Sequence, residues 1–547
     1  MPEQDVRGSE PPASAGTGEP TTPVVIGLDL GTTRAQAIAY DADGRHWASA
    51  GRGYPLSAAQ PGWSEQDPDQ VADAAMDALA DAARVAAARG ARVVAVSLSA
   101  TLHSLIGLDR RGRALTPSLT LADRRAVMQA DRLRQEHDAM ALYRRTGTPV
   151  HPMAPLAKLM WFRERQAETA EQVRHWVSIK EYLLRRLGVA DVVDHSLASA
   201  TGLFNLADLD WDSEALGLAG IDRDQLSRPV PTEHRLGSLP APILEGLGLE
   251  PGTPFVIGAG DGALANLGAG AIAPGVAAAT VGASGAVRLV VTEPRTDPLG
   301  RTFCYVLTSG RWVIGGASNN GELVLRWLRA ELFPDVGRQA VQEGADAAER
   351  LIGLAAAVPP GAAGLLCLPY LAGERAPRWT SVPGGVLFGL RREHTRGHVV
   401  RAAMEGVMLQ LAIVVQALEE SGTPPRRFRA TGGFLRSRLW RQIMADVFDR
   451  DIAIPGSAEG STLGAALLGL RRLDLIASLD VARDLVPIAE VVRPQPKAAS
   501  AYRRLRGLYG RLSEALDPEF DELTALRAEL LEYGDSGDSG DGGGLER

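Results

Sequence analysis

VVIGLDLGTTRAQAIAYDADG, residues 24–44, carries two strand patterns around a short glycine turn. Val24, Val25, Ile26 and Leu28 make an apolar run of the kind buried on both faces, and Ala35–Tyr40 alternates small apolar with polar residues as a returning strand. Between them Gly31, Thr32, Thr33 and Arg34 offer backbone N–H groups and two hydroxyls to an anion. Asp29, at the end of the first strand, puts a carboxylate beside them where a magnesium ion or its waters can sit. Such a turn holds nucleotide phosphate without a Walker lysine. Taken alone, the fragment is equally an ordinary hairpin whose threonines satisfy their own turn. Asp43-Gly44 then signals a second hairpin.

The chain has 547 residues, long for one hydrophobic core, and the natural division is two domains of about 200–250 residues with tails. A net charge of −8 speaks against a nucleic-acid or anionic-membrane surface and suits work on small molecules. Cys304 and Cys367 are the only cysteines, so no disulfide framework is encoded and a reducing, cytoplasmic setting is expected. No apolar stretch reads as a bilayer span. Residues 1–22, rich in Pro, Ser, Gly and Glu, read as a disordered leader, and residues 533–547, with GDSGDSGDGGG, as a disordered tail.

Outward from the hairpin, Asp67-Pro68 reads as an N-cap with proline at N1, opening an alanine-rich helix that Gly90 stops. Arg92–Leu98 follows as a buried strand and emerges at Ser99–His103, where an open α/β sheet places its ligand contacts. Asp123-Arg124-Arg125 opens a helix predicted to reach about Arg145; a helix with Lys158 and Trp161 and another over Ile179–Leu187 come next. Pro254–Ala259 is an apolar strand ending in Gly260-Asp261-Gly262. Beyond a boundary near Gly268, AAATVGASGAVRLVVTE (residues 277–293) repeats the opening as small apolar strand, Gly282–Gly285 turn and returning strand. Two equivalent hairpins, each leading a half of similar size, point to a duplicated domain with a nucleotide between the copies. In the second half Gly321 precedes a helix, Leu365–Tyr370 reads as a strand feeding the loop Gly373–Trp379, and His398–Leu418 is helical. Gly432-Gly433 and Gly460–Gly464 suit close approach of an adenine and its ribose to backbone.

At this point the residues resemble the FGGY family of carbohydrate kinases, of the actin and Hsp70-like ATPase superfamily, over about residues 23–510. GVLFGLRREHTRGHVVRAAMEG, residues 385–406, follows the family's C-terminal signature throughout, and MAPLAKLMWFRE, residues 153–164, its N-terminal signature until Arg165. TLHSLIGLD, GTPVHPMAPL, SLASATGLFNL and LPYLAGERAPRW are most similar to gluconate kinases within the family. The resemblance implies an α/β fold of two actin-like ATPase (ribonuclease H-like) domains with a nucleotide and sugar cleft between them. Residues 23–268 would bind sugar and carry the catalytic base, 269–510 would bind nucleotide, and a C-terminal helix would cover 511–532. ATP and Mg2+ are the implied cofactors and a small sugar or sugar acid the implied partner, with no nucleic acid and no membrane; a homodimer is compatible with it.

Residue by residue, the resemblance makes Asp261 the base that accepts the sugar hydroxyl's proton, Asp29 the magnesium ligand, and Gly31, Thr32, Thr33 and Arg34 phosphate contacts. His103, Asp123 and Arg124 fall where the family reads hydroxyls. A sugar acid's carboxylate calls for an arginine, and Arg124, Arg375 and Arg378 are the candidates, with Glu374 placed to tie down Arg375 as an ion pair. Gly282 and Ser284 would cover the phosphates, with Ala283 where relatives have threonine; Gly321 would lie near the ribose, and Gly432, Gly433 and Ser437 near adenine. Lys158 reads as structural, Trp63 and Trp379 as loop anchors, and Arg288 as either a contact or a strand-face charge. The expected reaction is phosphorylation of a terminal hydroxyl, of D-gluconate first and of xylulose, ribulose or glycerol as alternatives. A conformational ATPase without a sugar substrate is the reading of another class, against which Asp261, His103 and Asp123 argue together.

Overall fold

β1 (Thr22–Leu30) and β2 (Arg34–Tyr40) pair antiparallel, Leu30 against Ala35 and Val25 against Tyr40, and β3 (His46–Gly53) continues the meander. The structure is a computed structural model that describes residues 22–189, 191–456 and 460–536. The expected leader up to residue 21 and the tail beyond Ser536 lie outside the described residues. On the other side of β1, β4 (Ala91–Ala100) and β5 (Phe255–Gly260) join in parallel, giving the order β5-β4-β1-β2-β3. Burial of β1 on both faces explains its unbroken apolar run, since Val24, Val25, Ile26 and Leu28 are all within the core.

The second sheet repeats this plan. β6 (Val276–Val281), β7 (Gly285–Val291), β8 (Phe303–Thr308), β9 (Arg311–Ser318), β10 (Arg427–Thr431), β11 (Ile452–Pro455) and β12 (Ile488–Val492) stand in the order β8-β9-β7-β6-β10-β11-β12. β6, β7 and β9 are antiparallel like β1, β2 and β3, and β6, β10 and β11 are parallel like β1, β4 and β5. The duplication expected from two hairpins is therefore a duplication of topology.

Helix starts follow their caps. Asp67 accepts hydrogen bonds from the Asp69 and Gln70 amides ahead of α1 (Pro68–Ala88), as the Asp-Pro pair requires. The helix expected to run from Asp123 to Arg145 is two helices, Val127–Glu136 and Ala139–Thr146, because His137 is extended and Asp138 caps the Ala141 amide. The strand expected over Leu365–Tyr370 is confined to Leu366–Leu368. One helix among the described residues, Arg396–Glu420, has the length and apolarity of a bilayer span, with mean hydropathy 1.5, contrary to the sequence reading. Its most apolar window is 83% buried inside the protein, so it is a core helix.

One helix of the second half reaches across to the first sheet. α2 (Asp261–Gly268) crosses α3 (Gly460–Arg472), and α3, although it lies within 269–510, packs against β1, β4 and β5 of the first sheet. Only glycines permit this approach. A Cβ at Gly268 would stand 1.7 Å from the Gly460 carbonyl oxygen, one at Gly464 2.2 Å from that of Leu264, and one at Gly27 2.0 Å from that of Thr462. Gly268→Ala is accordingly expected to cost about 2–3 kcal/mol despite alanine's better helix propensity, since a backbone oxygen has no rotamer to yield. A lowered thermal midpoint checks it. The expected C-terminal helix over 511–532 is two helices, α4 (Pro496–Ala515) and α5 (Asp517–Ser536), and α4 packs on the core helix through Tyr502 and Tyr509.

Candidate active site

A cavity of about 190 Å³ opens between the two sheets; Asp261, just past the end of β5, lines it, and Asp29, at the end of β1, acts on Asp261 by charge from outside the lining. Asp29 accepts a hydrogen bond from Ser99 Oγ at the end of β4, and Ser461 at the start of α3 bears on it too. Burial raises its pKa above the ordinary carboxylate value, and those hydroxyls partly offset this. Asp261 is the first residue of α2, and its carboxylate accepts a 2.6 Å hydrogen bond from the Gly262 amide. Desolvation and then repulsion from Asp29 push it up to about 6, while Arg288, the Gly262 amide and Arg375 pull the other way. A carboxylate poised there is matched to taking a proton near neutral pH.

His103 lines the same cavity in a left-handed backbone conformation, φ 66°, stabilised by Lys158, whose buried Nζ donates to the His103 and Thr120 carbonyls at 2.7 and 2.8 Å. Lys158 is thus the structural residue that was expected. The His103 Nδ1 lies 2.7 Å from the Ala200 carbonyl, which can only accept, so Nδ1 carries the proton and Nε2 is an acceptor. Burial first, then the charges of Lys158 and Arg375, lower its pKa to about 3 and keep the ring neutral. Tyr305 of β8 stands edge-on to it with centroids 6.0 Å apart and stacks on Phe303 at 4.5 Å.

Of the three arginines weighed for a carboxylate, Arg375 alone lines the cavity. Its Nη2 donates to the Ser318 carbonyl at 3.0 Å, while its buried Nε has no partner. Glu374 forms no ion pair with it; the Glu374 carboxylate instead accepts from Ser318 Oγ, the Asn319 amide and Asn320 Nδ2. Arg378 is not among the cavity residues; it donates to the Ser513 carbonyl and pairs with Asp517. Arg124 and Asp123 are not among the cavity residues either. Asp123 is buried and spent on Arg125 and the Ser64 amide, and Arg125 stacks 3.7 Å from the Trp63 ring. Trp63 is therefore the anchor expected; Trp379 is buried and also lines the cavity.

Thr32 reaches the cavity from the first hairpin and Ser284 from the second, whereas Thr33 and Arg34 are exposed at the turn. The Gly31 amide donates to the Arg34 carbonyl, closing that turn. On the opposite rim Gly321 packs on the second hairpin, its amide donating to the Ala283 carbonyl, and a Cβ there would meet the Gly282 oxygen at 2.4 Å. Gly432 adopts φ 111° against Val281, and Gly433 abuts Glu322. Gly321, Gly432 and Gly433 are thus gathered around the second hairpin and the start of the helix that follows Gly321, none of them among the cavity residues. The Ser437 hydroxyl accepts from the Trp440 amide as a helix N-cap. Sequence reasoning did not select Tyr305 and left Arg288 open; both line the cavity. A single cationic residue in an otherwise apolar strand was the available signal for Arg288.

The chain matches the family models "FGGY family of carbohydrate kinases, N-terminal domain" over residues 24–268 and "C-terminal domain" over residues 277–473. It is 40% identical to the gluconokinase of Bacillus subtilis over 94% of this chain and 100% of that one, and 26% identical to the xylulose kinase of the same organism over 89% and 95%. A crystal structure of gluconate kinase from Lactobacillus acidophilus superposes with a TM-score of 0.85 at 34% identity, covering 92% of this chain and 100% of that one. Two halves of matching topology, a carboxylate pair where they meet and agreement along nearly the whole length place this protein in one group: it belongs to the FGGY family of carbohydrate kinases.

Proposed function

We propose that this kinase transfers the γ-phosphoryl group of ATP to the terminal hydroxyl of D-gluconate, giving 6-phosphogluconate. The observation that carries the reading is a carboxylate near its neutral-pH working point, Asp261, sharing one cavity with a buried guanidinium whose Nε lacks a partner, Arg375. A buried donor without an acceptor is costly, and a sugar-acid carboxylate satisfies it with charge and geometry. His103 Nε2 supports the reading as an acceptor for a sugar hydroxyl, and Thr32 and Ser284, from the two hairpin turns, line the same cavity as Asp261, where the triphosphate would lie. Proton transfer to Asp261 accompanies attack, in a cavity lined from both halves that shields the phosphoryl group from water.

Asp29 raises the Asp261 pKa by repulsion, so the two carboxylates are close enough to feel each other, hard oxygen donors of the kind Mg2+ shares with phosphate oxygens. Asp29 is the residue that would hold it, and when bound it neutralises triphosphate charge. Gly282, where a Cβ would meet nothing within 4 Å, leaves its backbone open to a nucleotide phosphate. A second reading, xylulose, keeps a specific support: a ligand-bound xylulose kinase of Lactobacillus acidophilus has the same TM-score of 0.85 and 34% identity. A coupled assay of ADP release across gluconate, xylulose, ribulose and glycerol tests both. Gluconate is expected to give the highest kcat/KM; a higher value with xylulose overturns the substrate, and no stimulation by any of them overturns sugar phosphorylation.

A further inference from the structure

Arg288 is not used by the reading above, and its placement is unusual. It sits on β7, in the second sheet, yet it lines the cavity beside the base, which belongs to α2 after the first sheet. A methyl group at Gly262 would stand 3.2 Å from Arg288 Nε, so the guanidinium lies directly against the first turn of α2. Asn266 of α2 donates to the Arg288 carbonyl at 3.1 Å and bolts that strand to the helix carrying Asp261. Among the described residues the guanidinium has no hydrogen bond or ion pair, and Asp261 acts on it by charge alone, without a hydrogen bond between them. A largely buried cation held next to a carboxylate but not joined to it leaves its donors for an anion that arrives.

Two anions enter this cavity on the proposed reaction, the sugar's carboxylate and the phosphoryl group, and position separates them. The carboxylate of an extended six-carbon acid lies at the opposite end from the hydroxyl that Asp261 deprotonates. Arg375 bears on His103, Tyr305 and Asp261 alike, whereas of the two arginines Arg288 is the one packed against Gly262, the residue that follows the base. Arg288 is at the near end, where the oxygen attacks phosphorus. We propose that Arg288 is a catalytic residue supplied by the second domain, donating its N–H fork to the equatorial oxygens of the phosphoryl group in flight. The inference rests on the sugar-kinase reading of the site. In the step, the sugar O–H proton goes to Asp261, the new O–P bond forms, and the bond from phosphorus to the β,γ-bridging oxygen breaks with its electron pair leaving on ADP. Arg288 gains and loses no bond; it neutralises charge that the transferring group carries, as a cis arginine finger does. The site thus takes its base from the helix after the first sheet and this cation from the second sheet.

The test uses Arg288→Met, which keeps length without charge, and Arg288→Lys, which keeps charge without the fork. With gluconate and ATP, Arg288→Met is expected to lose about 10³-fold in kcat with KM for gluconate within about threefold, and Arg288→Lys at least about tenfold in kcat. Thermal shifts provide a readout independent of turnover: gluconate alone should stabilise wild type and both variants alike, while the added shift from ADP with aluminium fluoride should vanish in Arg288→Met. A variant that loses the gluconate shift and gains KM, with kcat near wild type, overturns the proposal and makes Arg288 a carboxylate reader. Should Arg288→Met not fold, an Arg288→Lys kcat equal to wild type overturns it alone. A wild-type enzyme inactive on every sugar, by contrast, sinks the reading of the site itself.

Discussion

Asp261→Asn is expected to lower kcat with gluconate by about 10³–10⁴-fold while KM stays within about threefold, because the amide fills the same place but takes no proton. The wild-type pH profile of kcat/KM should fall about tenfold per unit below roughly pH 6, where Asp261 becomes protonated, and the Asn variant should lack that limb. Stability should move the opposite way. A carboxyl group whose folded pKa is raised binds a proton more readily in the folded than in the unfolded state, so its charge destabilises the fold once pH exceeds both values. The variant's thermal midpoint should therefore exceed that of wild type at pH 7, with the gain shrinking as pH falls from 6 toward 4. Loss of activity through misfolding would lower the midpoint, so the two measurements together separate chemistry from damage.

What the sequence disclosed and what it withheld divide along the range of the interactions. The opposed strands of Val24–Tyr40 and Ala277–Val291 were readable because burial on both faces writes apolar runs locally, and Asp261 between glycines at a strand end marked itself. Side-chain direction was not local. Asp123, Arg124 and Arg125 are adjacent polar residues, but Asp123 and Arg125 face each other because Glu65 and Trp63, some sixty residues earlier, receive the guanidinium. Arg375 and Arg378 stand three apart in one loop, and their fates differ through Ser318 on one side and Ser513 on the other. The helix Gly460–Arg472 followed its own sheet in order yet packs on the other one, since small residues at Gly27, Gly268 and Gly464 made a close crossing possible. Such pairings are decided by packing between distant segments, which one sequence does not display.

Arg375→Met is expected to raise KM for gluconate by about 10²-fold and leave KM for ATP near wild type, since a charged partner in a buried site is worth about 2–5 kcal/mol to the anion it meets. The loop that carries Arg375 is held independently of that side chain. Gln410 Nε2 donates to the Ala376 carbonyl at 2.8 Å, Arg134 reaches the Trp379 carbonyl, and Arg378 is latched to Ser513. The substitution should thus remove a contact without moving the loop, and Arg375→Lys should recover little, because one ammonium cannot serve Ser318 and a carboxylate in the fork's plane. Discrimination is the sharper readout. Measured against D-glucitol, which has an alcohol where gluconate has its carboxylate, wild type should prefer the acid strongly and Arg375→Met should lose most of that preference. An equal loss on both compounds would mean that Arg375 supports the Ser318 carbonyl and Tyr305 as structure, and the carboxylate would then have to be met elsewhere in the cavity.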